Sequence, residues 1–461
     1  MRRFAFLCTV LLLLLLQAPV LGQTRVLLTS CREFASYPSL GYEASGNLQF
    51  LASVFSASGV TGDSLDVEDG TLSSFDALSA VTLSFFSGAQ VDDLSVFYLC
   101  THGVLSEDGG YQLILSDGAE EEAVSAGALL RLLASLPGQT LLILDACHSG
   151  AVLSYLTEDQ PSLSVLTSSS SSEAAWYYLG EGVQSGALSY FASSFCTALG
   201  LYGPAEADRN GDRKVTLDEV YHQLLHALPS STVQISSNCA DTLVLPSVKG
   251  AAPLCPLTDF SYGQQLLARD ACTLSFSFTL RRPVSILYRL IEYTDRGWDW
   301  AGAFSVREPS DPALQPGRMT RSFSLDADAL IGDYFILQVF SVEEDALLLC
   351  SEKLFALCSN SPDNRAGLSL SGAISPEGRG LALRLSARQP VLCSVFSRSL
   401  MQEEVPLLTG YLYRPSADGA NTLSLSFPPR RFLPPGSVLR IEVEDLWGAS
   451  SYEVSLTTDT P

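Results

Sequence analysis

The sequence predicts an α/β domain, a mostly parallel sheet flanked by helices, followed by two all-β sandwich domains. Three observations predict it. Two short runs, Leu94 to Leu99 and Thr140 to Leu144, are nearly free of polar interruptions, as strands buried on both faces of a parallel sheet are. Between them Val124 to Leu136 reads as a helix closed by Pro137-Gly138, so strand and helix alternate. Beyond the Gly, Ala and Pro-rich stretch at 247–256, helical periodicity gives way to short alternating runs.

Taken in order, the chain opens with Arg2 and Arg3, six consecutive leucines from Leu11 to Leu16, and Ala18-Pro19-Val20-Leu21-Gly22. That is the pattern of a secretory signal peptide, residues 1–22, cut after Gly22. A retained anchor would need about 20 apolar residues, so no integral membrane segment is expected in the mature chain. The expected location is secreted, periplasmic or cell-envelope. The first domain is expected over 24–246. Arg25 to Cys31 reads as its first strand, and Asn47 to Phe55 as an amphipathic helix with Leu48, Leu51 and Phe55 on one face. Phe75, Leu78, Leu83 and Phe86 suggest a second helix. After His102 come a glycine-rich turn and Tyr111 to Leu115, a hairpin arm with Asp117-Gly118 as its turn. Leu163 to Thr167 is a further strand, running into Ser168 to Ser172, which composition alone reads as a linker.

Two blocks of about a hundred residues follow, expected over 257–360 and 361–461. Leu274 to Leu280, Arg318 to Leu325 and Tyr334 to Val342 are representative strands of the first; Val391 to Arg398 and Val438 to Val443 belong to the second. The partner of these domains is not identified by the sequence.

A formal charge of −23, which becomes −25 once the two leader arginines are removed, repels nucleic acid and anionic lipid and favours solubility. Basic peptides are the partners it suits. Eleven cysteines include Cys8 in the leader; those that remain include a crowd toward the second half, from Cys239 to Cys393, with no spacing that identifies disulfide partners. The absence of a CxxC pair argues against a structural zinc site.

The chemistry gathers where the two apolar runs end. One continues Cys100-Thr101-His102-Gly103, the other Asp145-Ala146-Cys147-His148-Ser149-Gly150. In an open parallel sheet, the carboxyl ends of the strands form the ligand crevice, so an imidazole and a thiol delivered there from neighbouring strands can meet. A histidine that takes the thiol proton turns cysteine into a far better nucleophile. Gly103 and the backbone N–H of Cys147 are candidates for an oxyanion hole. The constellation points to cysteine acyl-transfer chemistry.

These motifs resemble those of the caspase and metacaspase-like cysteine peptidases, relatives of legumain, clostripain and gingipain. The resemblance runs from about Arg25 to about Leu245. His102 precedes Cys147 by 45 positions, near the spacing of about 50 in the caspase signature. It implies a caspase-like fold, Cys147 as nucleophile and His102 as base. Asp145 occupies the place where metacaspase-like members line a pocket for arginine or lysine, and where caspases carry glutamine. Thr167 and Ser168 fall where the family's chain runs beside the substrate. Gly186 to Phe191 resembles the family's helix that starts after a glycine. Gingipain-like relatives carry an immunoglobulin-like module after the peptidase, so the two β-domains are expected to be immunoglobulin-like. No arginine or lysine lies between Arg131 and Arg209, so an enzyme specific for basic residues could not process itself there.

The other histidines read more plainly. His148 neighbours the nucleophile and points away from it on an extended segment. His222 and His226, four apart on a helix, lack a third ligand. Residues 208–219 follow an EF-hand loop, with Asp208, Asn210, Asp212, Lys214 and Glu219 at ligand positions, a candidate calcium site. The departure is Arg213, where such a loop needs glycine. The expectation is a secreted cysteine endopeptidase acting on peptides or proteins after Arg or Lys, requiring no cofactor, with calcium as an optional ion. The alternative is a catalytically silent adhesion or scaffold protein acting through its β-domains.

Overall fold

The structure, a computed structural model, describes residues 22–455 apart from 107–108, 158–159, 176–188, 202–204, 209, 228–230, 250–255, 295–296, 310–315, 327, 329, 331, 344–345, 361–368, 375–379, 388, 399–404, 414–419 and 427–437. The expected signal peptide lies, but for Gly22, outside the described residues.

The first region begins with β1 (Thr24–Ser30), α1 (Gly41–Ala57), β2 (Leu65–Asp69), α2 (Phe75–Phe85) and β3 (Leu94–Cys100). A side hairpin follows, built from β4 (His102–Leu105), β5 (Tyr111–Ser116) and β6 (Glu121–Ser125). Next come α3 (Ala126–Ala134), β7 (Gln139–Asp145), β8 (Leu163–Thr167) and α4 (Tyr190–Ala198). The region ends with β9 (Val215–Thr216), α5 (Leu217–Ala227), β10 (Gln234–Ser236) and β11 (Val244–Leu245). The principal sheet has the order β10-β8-β7-β3-β1-β2. Its ladders are parallel from β2 to β8, and β10 pairs β8 antiparallel.

Successive side chains of a strand point to opposite faces, and both faces of this sheet are covered. Val26, Val96, Tyr98, Leu141 and Ile143 pack with residues of α1, α4 and α5. Leu27, Phe97, Leu99, Leu142 and Leu144 pack with residues of α2 and α3 on the other side. Serine side chains start three of the helices: Ser74, Ser125 and Ser189 accept from the N–H groups of Ala77, Ala128 and Ala192, supplying acceptors that the first turn lacks. The helix expected from Val124 begins at Ala126, because Ser125 caps it and Val124 still belongs to β6.

The second region contains β12 (Leu257–Tyr262), β13 (Leu266–Ala268), β14 (Thr273–Leu280), β15 (Ser285–Thr294), β16 (Gly297–Glu308), β17 (Gly317–Ser324), β18 (Tyr334–Glu343) and β19 (Ala346–Cys358). They form sheets of order β12-β14-β17 and β13-β19-β18-β15-β16. The Tyr288 ring of the larger sheet meets Phe276 and Phe323 of the smaller at 5.8 and 5.1 Å. The last region has β20 (Ser369–Ile374), β21 (Gly380–Ser386), β22 (Val391–Arg398), β23 (Val405–Tyr413), β24 (Ala420–Ser426), β25 (Val438–Asp445) and β26 (Gly448–Ser455). Their sheets run β20-β21-β24 and β23-β22-β25-β26.

The fold class expected above, an α/β caspase-like domain with two immunoglobulin-like sandwiches behind it, is corrected. The chain is mainly β: 26 strands stand against five α-helices among the described residues, distributed over seven separate sheets. Outside the β2 to β8 ladders, only β13 and β19 pair in parallel; the other ladders, including the side hairpin, are antiparallel. The expectation gave the whole first region the class of two buried runs, whereas an apolar run reports burial on both faces and not the make-up of the chain around it. Among the described residues no helix is long and apolar enough to cross a membrane.

Candidate active site

The β3 and β7 strands lie side by side in register, Cys100 opposite Asp145, and the Thr101 N–H donates to the Asp145 carbonyl at 3.3 Å. From there the two chains separate. After β3 the backbone enters the side hairpin at once, which puts His102 at its root. After β7 it turns through Ala146 and Cys147 to His148, whose φ of 57° is left-handed, and then into a short 3-10 helix, Ser149–Tyr155.

The two turns touch at Gly103. A Cβ built there would come within 2.2 Å of both the Cys147 carbonyl oxygen and the Tyr111 hydroxyl, so only glycine fits. Tyr111, whose hydroxyl donates to that same carbonyl at 2.9 Å, closes the contact from below. Burial, and then the Cys147 charge, push the Tyr111 phenol well above its ordinary range, so it stays a donor. Gly103 and Cys147, the two expected oxyanion residues, are thus brought together through the Cys147 carbonyl.

His102 is half-buried and held on three sides. Its Nε2 lies 2.7 Å from the Pro38 carbonyl oxygen. A carbonyl can only accept, so Nε2 carries the hydrogen and, in the neutral ring, Nδ1 is the basic nitrogen. The Phe34 ring meets the imidazole edge-on at 4.6 Å and Tyr37 lies at 5.5 Å. The loop that supplies these three residues is pinned by Glu121, whose Oε2 accepts from the N–H groups of Ala35 and Ser36 at 2.9 and 3.2 Å. Cys147 is partly buried, its Sγ 4.0 Å from the Ala175 carbonyl oxygen. Burial, more than any neighbouring charge, pushes its thiol up from the ordinary value of 9.0.

Asp145 is wholly buried. Its Oδ2 accepts from the hydroxyls of Ser189 and Tyr98 at 2.5 and 3.0 Å and from Asn47 Nδ2 at 3.4 Å, while its Oδ1 has no hydrogen-bond partner among the described residues. Burial pushes the carboxyl up against the opposing pull of Ser189 and Tyr98. The side chain therefore sits beneath the sheet end, in a polar nest shared with α1 and the start of α4, rather than on an open surface.

The serine run is no linker where it begins. Ser168 and Ser169 are buried. The Ser168 Oγ accepts from Ala146 N–H at 3.2 Å, and the Ser169 Oγ donates to the Ala146 carbonyl at 3.0 Å while accepting from Ser149 N–H at 3.2 Å. Thr167, also buried, donates to the Ser169 carbonyl at 3.1 Å. Ser168 thus serves the turn that carries Cys147, and Thr167 braces the serine segment beside it. His148 turns outward, its Nδ1 3.1 Å from the Ser171 carbonyl oxygen. The helix start expected from Gly186 falls partly outside the described residues; α4 itself begins at Tyr190.

The candidate calcium residues engage their own loop. Asp208 accepts from Arg213 N–H at 3.0 Å, Asn210 from Asp212 N–H at 2.7 Å, and Asp212 from Lys214 N–H at 2.8 Å. Glu219 accepts from the N–H and hydroxyl of Thr216, both at 3.0 Å, a capping exchange at the start of α5. Arg213 adopts the left-handed φ of 64° that glycine takes in such loops. Among the described residues no group of His, Cys, Asp or Glu is placed to hold a metal. His222 lies 3.6 Å from Asp218, an ordinary pair one helical turn apart.

Pro38, Tyr111 and Glu121 are not marked by any motif. Only the side hairpin gave a signal, since Tyr111 opens the arm that returns beneath His102.

No family model matches the chain, and no curated protein matches it. Among solved structures it aligns with the crystal structure of the YadV chaperone at 10% identity, over 44% of this chain and 100% of that one, with a TM-score of 0.30. The periplasmic chaperone SfaE aligns at 10% identity, over 43% and 99%, with a TM-score of 0.25. Both are chaperones by name rather than peptidases, and likeness at this level carries no function across.

Proposed function

We propose that the chain is a cysteine endopeptidase in which Cys147 is the nucleophile and His102 the general base, with chemistry like that of the metacaspase-like peptidases its motifs resemble. The observation that carries the reading is the contact at Gly103, which packs the residue after His102 against the carbonyl of Cys147. The Pro38 carbonyl supports it by leaving Nδ1 as the basic nitrogen. A thiol pushed up by burial is largely protonated at neutral pH, so it needs such a base.

In this mechanism Nδ1 takes the Sγ proton as sulfur bonds to the scissile carbonyl carbon, and the amide donors of Gly103 and Cys147 hold the oxyanion. The tetrahedral adduct then expels the amine, which takes the proton back from the imidazolium. Water, deprotonated by the same ring, cleaves the thioester and frees Cys147. Preference for arginine or lysine rests on the place of Asp145 in the motif that the metacaspase-like peptidases share; in the closed nest its carboxylate meets Ser189, Tyr98 and Asn47, so a substrate guanidinium would have to open that nest to reach it. The leader from Arg2 to Gly22 supports a secreted or cell-envelope location, and a peptide or protein is the partner.

A second reading, a catalytically silent scaffold acting through its later sheets, is favoured by the seating of Cys147 Sγ against the Ala175 carbonyl. Hydrolysis of matched fluorogenic peptides ending in Arg, Lys, Asp or Asn, by wild type and Cys147→Ala, separates the two. Cleavage after Arg or Lys that is lost in the variant is expected. Cleavage after Asp or Asn would keep the pair and remove Asp145 from the pocket, and no cleavage at all would favour the scaffold.

A further inference from the structure

We infer that Glu173 is a positioning residue for Cys147, its carboxylate clamping the segment after β8 onto the turn that carries the thiol. The inference rests on the peptidase reading for its rate measurement alone.

Glu173 reaches three pieces of backbone. Its Oε2 accepts from Ser170 N–H at 3.1 Å and Thr232 N–H at 2.8 Å, and its Oε1 accepts from the Thr232 hydroxyl at 3.0 Å. Its own carbonyl accepts from His148 N–H at 2.8 Å, the amide immediately after Cys147. Two residues further on, Ala175 supplies a carbonyl oxygen 4.0 Å from Sγ. One side chain thus ties the segment entering β10 to the segment that covers the nucleophile.

The clamped segment leaves little slack. A Cβ on Gly150 would stand 2.8 Å from Ser171 N and 2.9 Å from the Ser170 carbonyl carbon, so the two backbones are in direct contact. His148, held left-handed between them, has its N–H on Glu173 and its ring on Ser171. Release of the carboxylate would free Ser170 and Thr232 N–H together and let the segment lift from Sγ. That admits more water to a thiol now partly buried, and loosens the alignment that attack requires.

The two consequences have opposite signs, which separates positioning from simple support of the fold. In Glu173→Ala, kcat is expected to fall by up to about a hundredfold, the cost of a misplacement near 1 Å, with KM little changed. Alkylation of Cys147 by iodoacetamide at neutral pH, followed by mass spectrometry of its peptide, is expected to rise several-fold, its pH midpoint moving down. Glu173→Gln keeps an oxygen for the two N–H groups and an amide for the Thr232 hydroxyl, so it should restore both readouts to within about threefold of wild type.

A folded alanine variant whose Cys147 alkylation is unchanged overturns the inference, whatever its kcat. So does a glutamine variant as impaired as the alanine one. If Glu173→Ala fails to fold, Thr232→Val, which removes the hydroxyl donor alone, decides: it should move alkylation in the same direction by less, and no movement counts against the clamp. Wild type that cleaves no peptide removes the peptidase reading, while the alkylation arm still decides the clamp.

Discussion

The strands of the principal sheet and those of the later sheets bury themselves in different ways. Every residue of β3 is buried, as is every residue of β7 after Gln139. In β14, β17 and β25 covered side chains alternate with more open ones, so that Arg318, Thr320, Ser322 and Ser324 form an exposed row along β17. A strand covered on both faces has no side-chain surface to offer a ligand. Its chemistry can appear only where it ends, and His102 and Cys147 stand just past such ends. A strand covered on one face offers a row along its whole length, which suits recognition better than a single reactive group.

The largest effect that would test this contrast is on stability. Ile143→Ala, at a position with no exposed surface, should cost about 2–5 kcal/mol in denaturant unfolding, whereas Thr320→Ala on the open row should stay within about 0.5 kcal/mol. Equal costs would erase the difference between the two kinds of strand.

Next is the contact between the strand ends. In Gly103→Ala the methyl group has no room beside the Cys147 carbonyl and Tyr111, so the turns must part. Peptide cleavage should drop by about two orders of magnitude, with a stability loss of about 1–3 kcal/mol from overpacking. A variant as active and stable as wild type would show that the turns need not touch.

The smallest effect concerns Asp145. Burial raises its carboxyl in the folded chain, so the fold binds that proton more tightly than the unfolded chain does. The wild type therefore loses stability as pH rises from the unfolded carboxyl value of about 3.9 through the folded one. Asp145→Asn does not titrate. Its melting temperature should exceed that of wild type at neutral pH, and the gap should narrow as pH falls toward about 4. A difference independent of pH would place Asp145 in water, in the manner of the Thr320 row.

Part of this was legible in the residues. The runs ending at Leu99 and Leu144 announced buried strands because burial on both faces removes polar residues from a strand, and that signal is local. His102-Gly103 and Cys147-His148 marked themselves by standing just past those ends. The alternating runs beyond residue 257 announced strands as well, but the short strands β4, β9 and β11 of the first region carry no such signal, so the weight of β structure there was not legible in the same way. The Ser168 to Ser172 run misled by composition: serine reads as solvent-loving, yet Ser168 and Ser169 are buried because the Ala146 and Ser149 backbone needs their hydroxyls. Pro38, Glu121 and Glu173 were invisible because each acts on a backbone group brought near by folding, and no spacing in the chain encodes such a meeting.

By itself the sequence determined which segments had to be buried and which reactive side chains stood at their ends, because hydrophobic burial and strand alternation are written in neighbouring residues. Only the tertiary structure decided that Pro38 fixes the protonated nitrogen of His102, that Asp145 turns into a closed polar nest, and that Glu173 holds the Cys147 turn. These depend on hydrogen-bond geometry between segments far apart in the chain, which exists only once the sheet has brought them together.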